Sequence, residues 1–587
     1  MNRREFIQLL LQGAAVAGTG AYVGSVQASA RALYDLDPFG SARILHITDS
    51  HAQLQPIYFR EPNVNIGLGE ALGRWPHVVG RNLLKELGDI SARDAHAFTY
   101  LDFVQAAEKF GRVGGFAHLK TLVDKLRGEV ADGSSLLLDG GDTWQGSGTA
   151  LWTRGRDMVE ATNLLGVDIM TGHWEFTYHE EEIFENIAAF NGEFLAHNTY
   201  ATEDALFDGV PVYDEDTGHV FKPYSIRELK GRRVAVIGQA FPYTPIANPK
   251  RFIPNWTFGI RDDELSQLVE SIRTQEKPDA VILLSHNGMD VDLKLASRVS
   301  GIDFILGGHT HDGMPRPLEV KNSGGTTVVT NAGSNGKFVA VLDLDFGSSG
   351  VSAYRYKLLP VFSDLLAPNA AMQSHIDAVR APHRKVLEEE LAVADSLLYR
   401  RGNFNGSFDQ LIVDGMRQEL DAQIALSPGF RWGTTVMPGE AITMDRLLDQ
   451  TCMTYPETYV RQMTGAELRS ILESVADNLF NEDPYYQQGG DMVRTGGFNY
   501  RLDPLAAMGA RVSDMTLANG KRMQDKASYK VAGWATVDSQ STGEPVWEVV
   551  ARYLRAQKTV RIERLESPTL MNVSTNPGLA DYRGVLA

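Results

Sequence analysis

The feature that most constrains this chain is a recurring unit. A short apolar run, long enough for one strand, ends abruptly in glycine, aspartate or histidine. Arg43-Ile44-Leu45-His46-Ile47-Thr48 is the first such run, and Ser135-Leu136-Leu137-Leu138 the second. Val234-Ala235-Val236-Ile237, Ala280-Val281-Ile282-Leu283-Leu284 and Phe304-Ile305-Leu306 follow. Each reads as a buried strand, and helical text lies between them, as in Leu119 to Arg127 and Glu264 to Thr274. Strands that alternate with helices bury their faces in a layered α/β unit. Thr326 to Thr330 and Phe338 to Leu344 look like later strands of that unit.

This reading divides the chain. A first α/β domain covers 31–364, with a polar, proline-marked insertion at 52–110 (Pro56, Pro62, Pro76) lying over its top. The charged segment 365–395 reads as a long bridging helix, and 396–587 as a smaller second α/β domain. The 587 residues are 43% hydrophobic and 22% charged, as in ordinary globular proteins. A net charge of −18 argues against sequence-independent nucleic-acid binding, which works by neutralising phosphates. The single cysteine, Cys452, cannot form an intrachain disulfide and reads as an inert core thiol.

The first thirty residues read as an address. Arg3-Arg4 precede Phe6-Ile7 and an apolar, Ala- and Gly-rich run, which closes on Ala28-Ser29-Ala30. This is a twin-arginine export signal, and it predicts a periplasmic protein with no stable membrane insertion. The other reading, a membrane anchor, is disfavoured because Gly18, Gly20, Gly24 and Gln27 interrupt the apolar stretch.

The chemistry-bearing residues follow the strands: Asp49-Ser50-His51, Gly140-Gly141-Asp142, Gly172-His173-Trp174-Glu175, His286-Asn287 and Gly308-His309-Thr310-His311. In α/β sheets ligand sites form beyond the carboxyl ends of the strands, so motifs far apart in sequence can converge there. Asp-x-His and His-x-His would each place two ligands on one side of an extended backbone. Gly140, Gly141, Gly307 and Gly308 would let the main chain approach. Imidazoles with carboxylates suit manganese, iron or zinc. Any one motif is weak alone; five in order predict a dinuclear metal site. His46, mid-strand, reads as a satisfied core histidine, and the remaining histidines, His77 among them, lack a ligand context.

In this order the motifs resemble those of the calcineurin-like metallophosphoesterases, and 411–471 is similar to the C-terminal domain of their periplasmic 5′-nucleotidase branch. The resemblance implies an α/β/β/α catalytic domain. It also implies that Asp49, His51 and His311 hold one metal, that His173, His286 and His309 hold a second, and that Asp142 bridges them. Such pairs, about 3.5–4 Å apart, activate a bridging hydroxide. The sequence departs from that family at one motif. Where it has Gly-Asn-His-Glu-Phe-Asp, this chain has Gly172-His173-Trp174-Glu175-Phe176-Thr177. His173 can still ligate, but Trp174 replaces the histidine that helps the leaving group, and Thr177 the aspartate that orients it.

An alkoxide leaving group gains from a proton donor. A sulfur leaving group needs one less, since a thiol has a pKa of about 8.5. The Gly-His-Trp-Glu-Phe-Thr text, with the export signal, resembles the SoxB-type thiosulfohydrolases. This implies hydrolysis of a cysteine-S-thiosulfonate on a SoxYZ-like carrier, release of sulfate and two Mn²⁺ ions; the alternative is a 5′-nucleotidase or another phosphoesterase. Trp174 would either line the channel for the carrier arm or simply pack. Arg431, in Ser427-Pro428-Gly429-Phe430-Arg431-Trp432, is the best candidate for an anion contact from the second domain, and Arg494 the next. For both arginines a salt bridge is the competing reading.

Overall fold

The computed structural model describes residues 33–579; the expected export signal lies outside them. The first domain is built on two six-stranded sheets. One has the order Gly350–Pro360, Phe338–Gly347, Ala42–Ile47, Ser135–Asp139, Ile169–Met170, Glu193–Phe194. The other runs Leu318–Asn322, Gly325–Asn331, Phe304–Gly307, Ala280–Ser285, Arg232–Gln239, Tyr224–Leu229. Neighbouring strands are parallel in the middle of each sheet, with antiparallel strands at one edge of the first and both edges of the second.

Period-two alternation sorts the side chains into layers. Ile44, Leu136, Leu138, Ile282 and Leu284 share the core between the sheets. Leu45, Ile47 and Leu137 face the other way, onto the helices Phe116–Gly128 and Arg156–Leu165. Val281, Leu283 and Ile305 do the same against Asp262–Ser271 and Met289–Arg298. The order of layers is therefore α/β/β/α. Gly325–Asn331 and Phe338–Gly347 fall in different sheets, so the chain crosses the sandwich between them.

The segment 365–395 is not one long helix. Helix Ala370–Arg380 gives way to a tight turn at Ala381–His383, where Pro382 removes a backbone donor. A single helical turn, Arg384–Leu387, follows, and Glu390–Ala394 is already a strand of the second domain. That domain has a four-stranded sheet with the order Thr458–Thr464, Ser528–Trp534, Ile424–Ser427, Arg494–Gly496. Its longest helix, Gly465–Phe480, begins with a capping box in which Thr464 and Glu467 exchange hydrogen bonds.

The 52–110 insertion does more than cover the first domain. Phe59 and Phe110 pack with Phe338 and Phe362, whereas Val64 and Ile66 belong to a core of the second domain. Tyr58 pairs through its backbone with Thr435. Trp174 and Phe252 in turn reach into the second domain's core beside Trp432 and Tyr455. No helix among the described residues is long and apolar enough to cross a membrane.

Candidate metal centre

The loops that leave the carboxyl ends of the central strands meet at one end of the sandwich. There Asp49, His51, Asp142 and His311 form one group, and Asp142, His173, His286 and His309 another. All are buried, and within each group the donor atoms lie within 4.8 Å of one another. These are the seven side chains singled out from the sequence. His51 Nε2 and His311 Nε2 face each other at 3.0 Å. Asp142 Oδ2 lies 3.2 Å from His286 Nε2 and 3.3 Å from His173 Nδ1. Asp49 Oδ1 lies 3.2 Å from His311 Nε2.

The local geometry is not the extended one expected. Asp49 (φ 52°), His51 (φ 44°), Asp142 (φ 58°), His309 (φ 72°) and His311 (φ 59°) all have left-handed backbones. Their side chains converge because each loop turns sharply, not because alternate residues of a strand share a face. Such conformations are costly for non-glycine residues and gather at functional sites. The glycine expectation holds more directly. A Cβ on Gly308 would overlap Thr48 Oγ1 and come within 3.0 Å of His286 Nδ1.

The electrostatics fit a pair of cations. Burial alone would raise the Asp142 carboxyl, but the His173 and His286 imidazoles outweigh it and hold it well below the usual range. Burial disfavours a His286 cation, yet Asp142 and Asp49 beside it push its pKa up to about 10. Burial holds His51 down to about 3, and His309 and His311 well below their ordinary value, so these rings are neutral and can offer lone pairs. Two carboxylates and five imidazoles, converging to within 4.8 Å in each group, form a donor set for divalent metal ions.

Glu175 is the functional residue that sequence reasoning left without a role. Its carboxylate accepts backbone N–H bonds from Asp142 (3.1 Å), Thr143 (2.7 Å), Trp144 (3.1 Å) and His173 (2.9 Å), so it ties two ligand loops together. Its place next to the altered dyad was the available signal. Arg401 is a second omission: its guanidinium donates to the carbonyls of Thr310 (2.9 Å) and His311 (3.3 Å).

A cavity of about 280 Å³ opens onto Asp142, His173, His309 and His311. Trp174 lines it, 5.2 Å edge-on from Trp432 and 5.6 Å from Phe430. The Trp174 backbone N–H donates to Asp142 Oδ1 at 2.7 Å, while Thr177 Oγ1 meets Thr454 Oγ1 of the second domain at 2.5 Å. Arg431 lines the cavity, held by the carbonyls of Gly490 (2.7 Å) and His309 (3.5 Å) and by Asp491. Arg494 does not line it. It is fully buried, bonded to Asp491 (2.9 Å) and to the Gly402 carbonyl (3.0 Å), so it props Asp491 rather than meeting an anion. Cys452 is buried and free, its thiol pushed far up by burial. His46 is buried and neutral, pushed down to about 3, but neither ring nitrogen has a protein partner, contrary to the expectation of a satisfied core histidine.

Residues 42–313 match the calcineurin-like phosphoesterase family, and residues 392–550 match the 5′-nucleotidase C-terminal domain. The chain belongs to this two-domain family of metallophosphoesterase-type hydrolases, whose dinuclear centre the seven-residue cluster fits. Within it, the chain is similar to the Thermus thermophilus sulfate thiohydrolase SoxB: 36% identity, 92% of this chain and 98% of that one covered, TM-score 0.84. The Vibrio cholerae 5′-nucleotidase is 29% identical over 518 residues, 77% of this chain and 88% of that protein. The Bacillus subtilis trifunctional nucleotide phosphoesterase YfkN is 25% identical over 71% of this chain, which spans only 30% of YfkN. A 5′-nucleotidase precursor of Thermus thermophilus, at 20% identity and TM-score 0.69, shares the fold.

Proposed function

We propose that this protein is a periplasmic thiosulfohydrolase, exported by the twin-arginine route. It removes the terminal sulfonate from a cysteine-S-thiosulfonate on a SoxYZ-like sulfur-carrier complex and releases sulfate. The observation that carries this reading is Trp174. An indole that cannot transfer a proton stands where phosphoesterases of this family place their histidine, and Thr177 beside it is committed to Thr454.

Asp49, His51 and His311 would hold one Mn²⁺ ion, His173, His286 and His309 the other, and Asp142 both. When bound, the ions supply Lewis-acid neutralisation of the sulfonate and a water acidic enough to act as nucleophile at neutral pH. The chain's own groups do the rest. Asp142 is oriented by the Trp174 N–H, and Arg431 presents a cation to the same cavity from the second domain. Water oxygen joins the sulfonate sulfur, and the two water protons pass to solvent as sulfate forms. The bond from that sulfur to its neighbouring sulfur breaks, and the electron pair leaves on the carrier-bound sulfur as a persulfide anion. That anion is weakly basic, so no general acid is required.

The Vibrio relative favours a second reading, a 5′-nucleotidase. Against it, Phe430 and Trp432 stack on each other with centroids 4.0 Å apart, so no base can lie between them. A paired release assay on the Mn-loaded mature protein decides. One arm receives a carrier peptide bearing cysteine-S-thiosulfonate, the other AMP, with Asp142→Asn as control. Sulfate release lost in the variant, with negligible phosphate, is the expected result. Phosphate without sulfate would establish the nucleotidase instead.

A further inference from the structure

His77, which lies in the insertion and outside both metal-ligand groups, sits in a polar pocket that shares His309 and Arg431 with the main cavity. The pocket holds about 60 Å³ and is lined by His77, Asp290, Thr310, Asp312 and Arg401, among others. His77 is buried there. Its Nε2 lies 3.0 Å from both carboxylate oxygens of Asp290, and its Nδ1 lies 2.9 Å from Asn65 Oδ1. The Asn65 amide has its orientation fixed from the other side: Nδ2 faces Asp312 Oδ1 at 3.3 Å and the Pro76 carbonyl at 3.5 Å. Both imidazole nitrogens therefore face acceptors, and only the doubly protonated ring can donate to both.

The chain of contacts continues inward. Asp312 follows the metal-site residue His311 and lies 3.8 Å from the Arg401 guanidinium, which donates to the Thr310 and His311 carbonyls. Asn65 and His77 come from the insertion, Asp290 from a helix of the first domain and Arg401 from the second domain. All act on one turn whose two histidines have left-handed backbones. That turn is held by these polar contacts as well as by packing, the His309 and Phe241 ring centroids lying 4.1 Å apart.

We propose that His77 is a positioning residue of the metal centre: as an imidazolium between Asp290 and Asn65, it fixes the His309–His311 turn through Asp312 and Arg401. Outer partners of this kind typically tune metal affinity by about 10- to 100-fold. The reading requires only that the seven-residue cluster binds a metal, so it stands or falls separately from the choice of substrate.

The test uses the full mature chain and Mn²⁺ alone. Retention of Mn²⁺ against graded chelator is measured at fixed pH for wild type, His77→Gln, Asp290→Asn and the double variant, alongside apo unfolding midpoints. Retention should weaken at least about tenfold in each single variant. The double variant should be no weaker than the worse single, because both break one chain. Unchanged retention with a lowered unfolding midpoint would make His77 merely structural and overturn the proposal. Additive losses would overturn it too. If His77→Gln does not fold, the near-isosteric Asp290→Asn carries the test.

Discussion

Glu175 shows how one side chain can organise a centre without touching it. Four N–H groups from two ligand loops converge on its carboxylate, and an amide there would point N–H at N–H. Glu175→Gln should therefore cost about 10- to 100-fold in metal affinity, with turnover falling in parallel. Metal content after dialysis, measured beside kcat, checks this. The altered dyad allows the opposite experiment. Trp174→His with Thr177→Asp restores the family's proton donor, and a positioned general acid contributes about 10²–10⁴-fold. AMP hydrolysis by the double variant should rise at least about tenfold over wild type; no gain would mean that the cavity walls, not the missing acid, exclude phosphoesters. The cluster of seven candidate ligands was legible because their residue types are chemically narrow and recur at strand ends. Glu175 was less so, because a carboxylate that binds only backbone amides leaves no ligand pattern and is marked only by its place beside the altered dyad. Arg494 misled for the converse reason: a glycine-rich loop with an arginine reads the same whether the arginine faces a cavity or Asp491.

Among the elements, the strands were the most legible, since runs such as Ala280–Ser285 are apolar on both faces and can only be buried. Charge over 365–395 looked like a helix surface, but Pro382 and the pairing of Glu390–Ala394 with Ala441–Thr443 outweighed local propensity. The insertion's partners were invisible in its sequence, because its contacts are non-local. One of these is a buried ion pair: Lys337 Nζ lies 2.6 Å from Glu61 Oε1, pinning the insertion to the start of strand Phe338–Gly347. Lys337→Met strands the carboxylate and should lower stability by about 3–5 kcal/mol. Adding Glu61→Gln should recover much of that loss, and a double-mutant cycle by denaturant unfolding measures it. The contact of His77 with Asp290 predicts a pH dependence. Burial lowers the imidazole's pKa, but the Asp290 carboxylate outweighs this and raises it above 6.5. A raised cation stabilises fully below its unfolded value and loses that contribution as pH climbs through the folded one. The difference in unfolding midpoint between wild type and His77→Gln should therefore shrink as the pH is raised above about 6.5.

At the scale of the molecule, the two domains share their interiors. Trp174 sits in a second-domain core, Val64 and Ile66 in another, and Gln53 bonds both the His51 carbonyl (3.3 Å) and Asp449 (3.2 Å). A fixed arrangement can be tested with Thr177→Cys and Thr454→Cys, whose parent hydroxyls lie 2.5 Å apart. Cys452, the one native thiol, is buried. The oxidised variant should turn over as fast as the reduced one; activity that returns only on reduction would mean that the domains must move. The left-handed backbones at Asp49, His51, Asp142, His309 and His311 have a consequence for how stability is spread through this fold. At about 1 kcal/mol or more each, they weigh on the scale of a whole domain's net stability. The central strands beneath are buried and must bear that load. Amide hydrogen exchange in the apo protein should then run as a gradient, slowest in strands such as Ile44 to Leu45 and fastest at the three loops that carry these five residues. Ion binding should flatten it from the loop end, so the part of the molecule that does the chemistry is also the part that reports whether it is loaded.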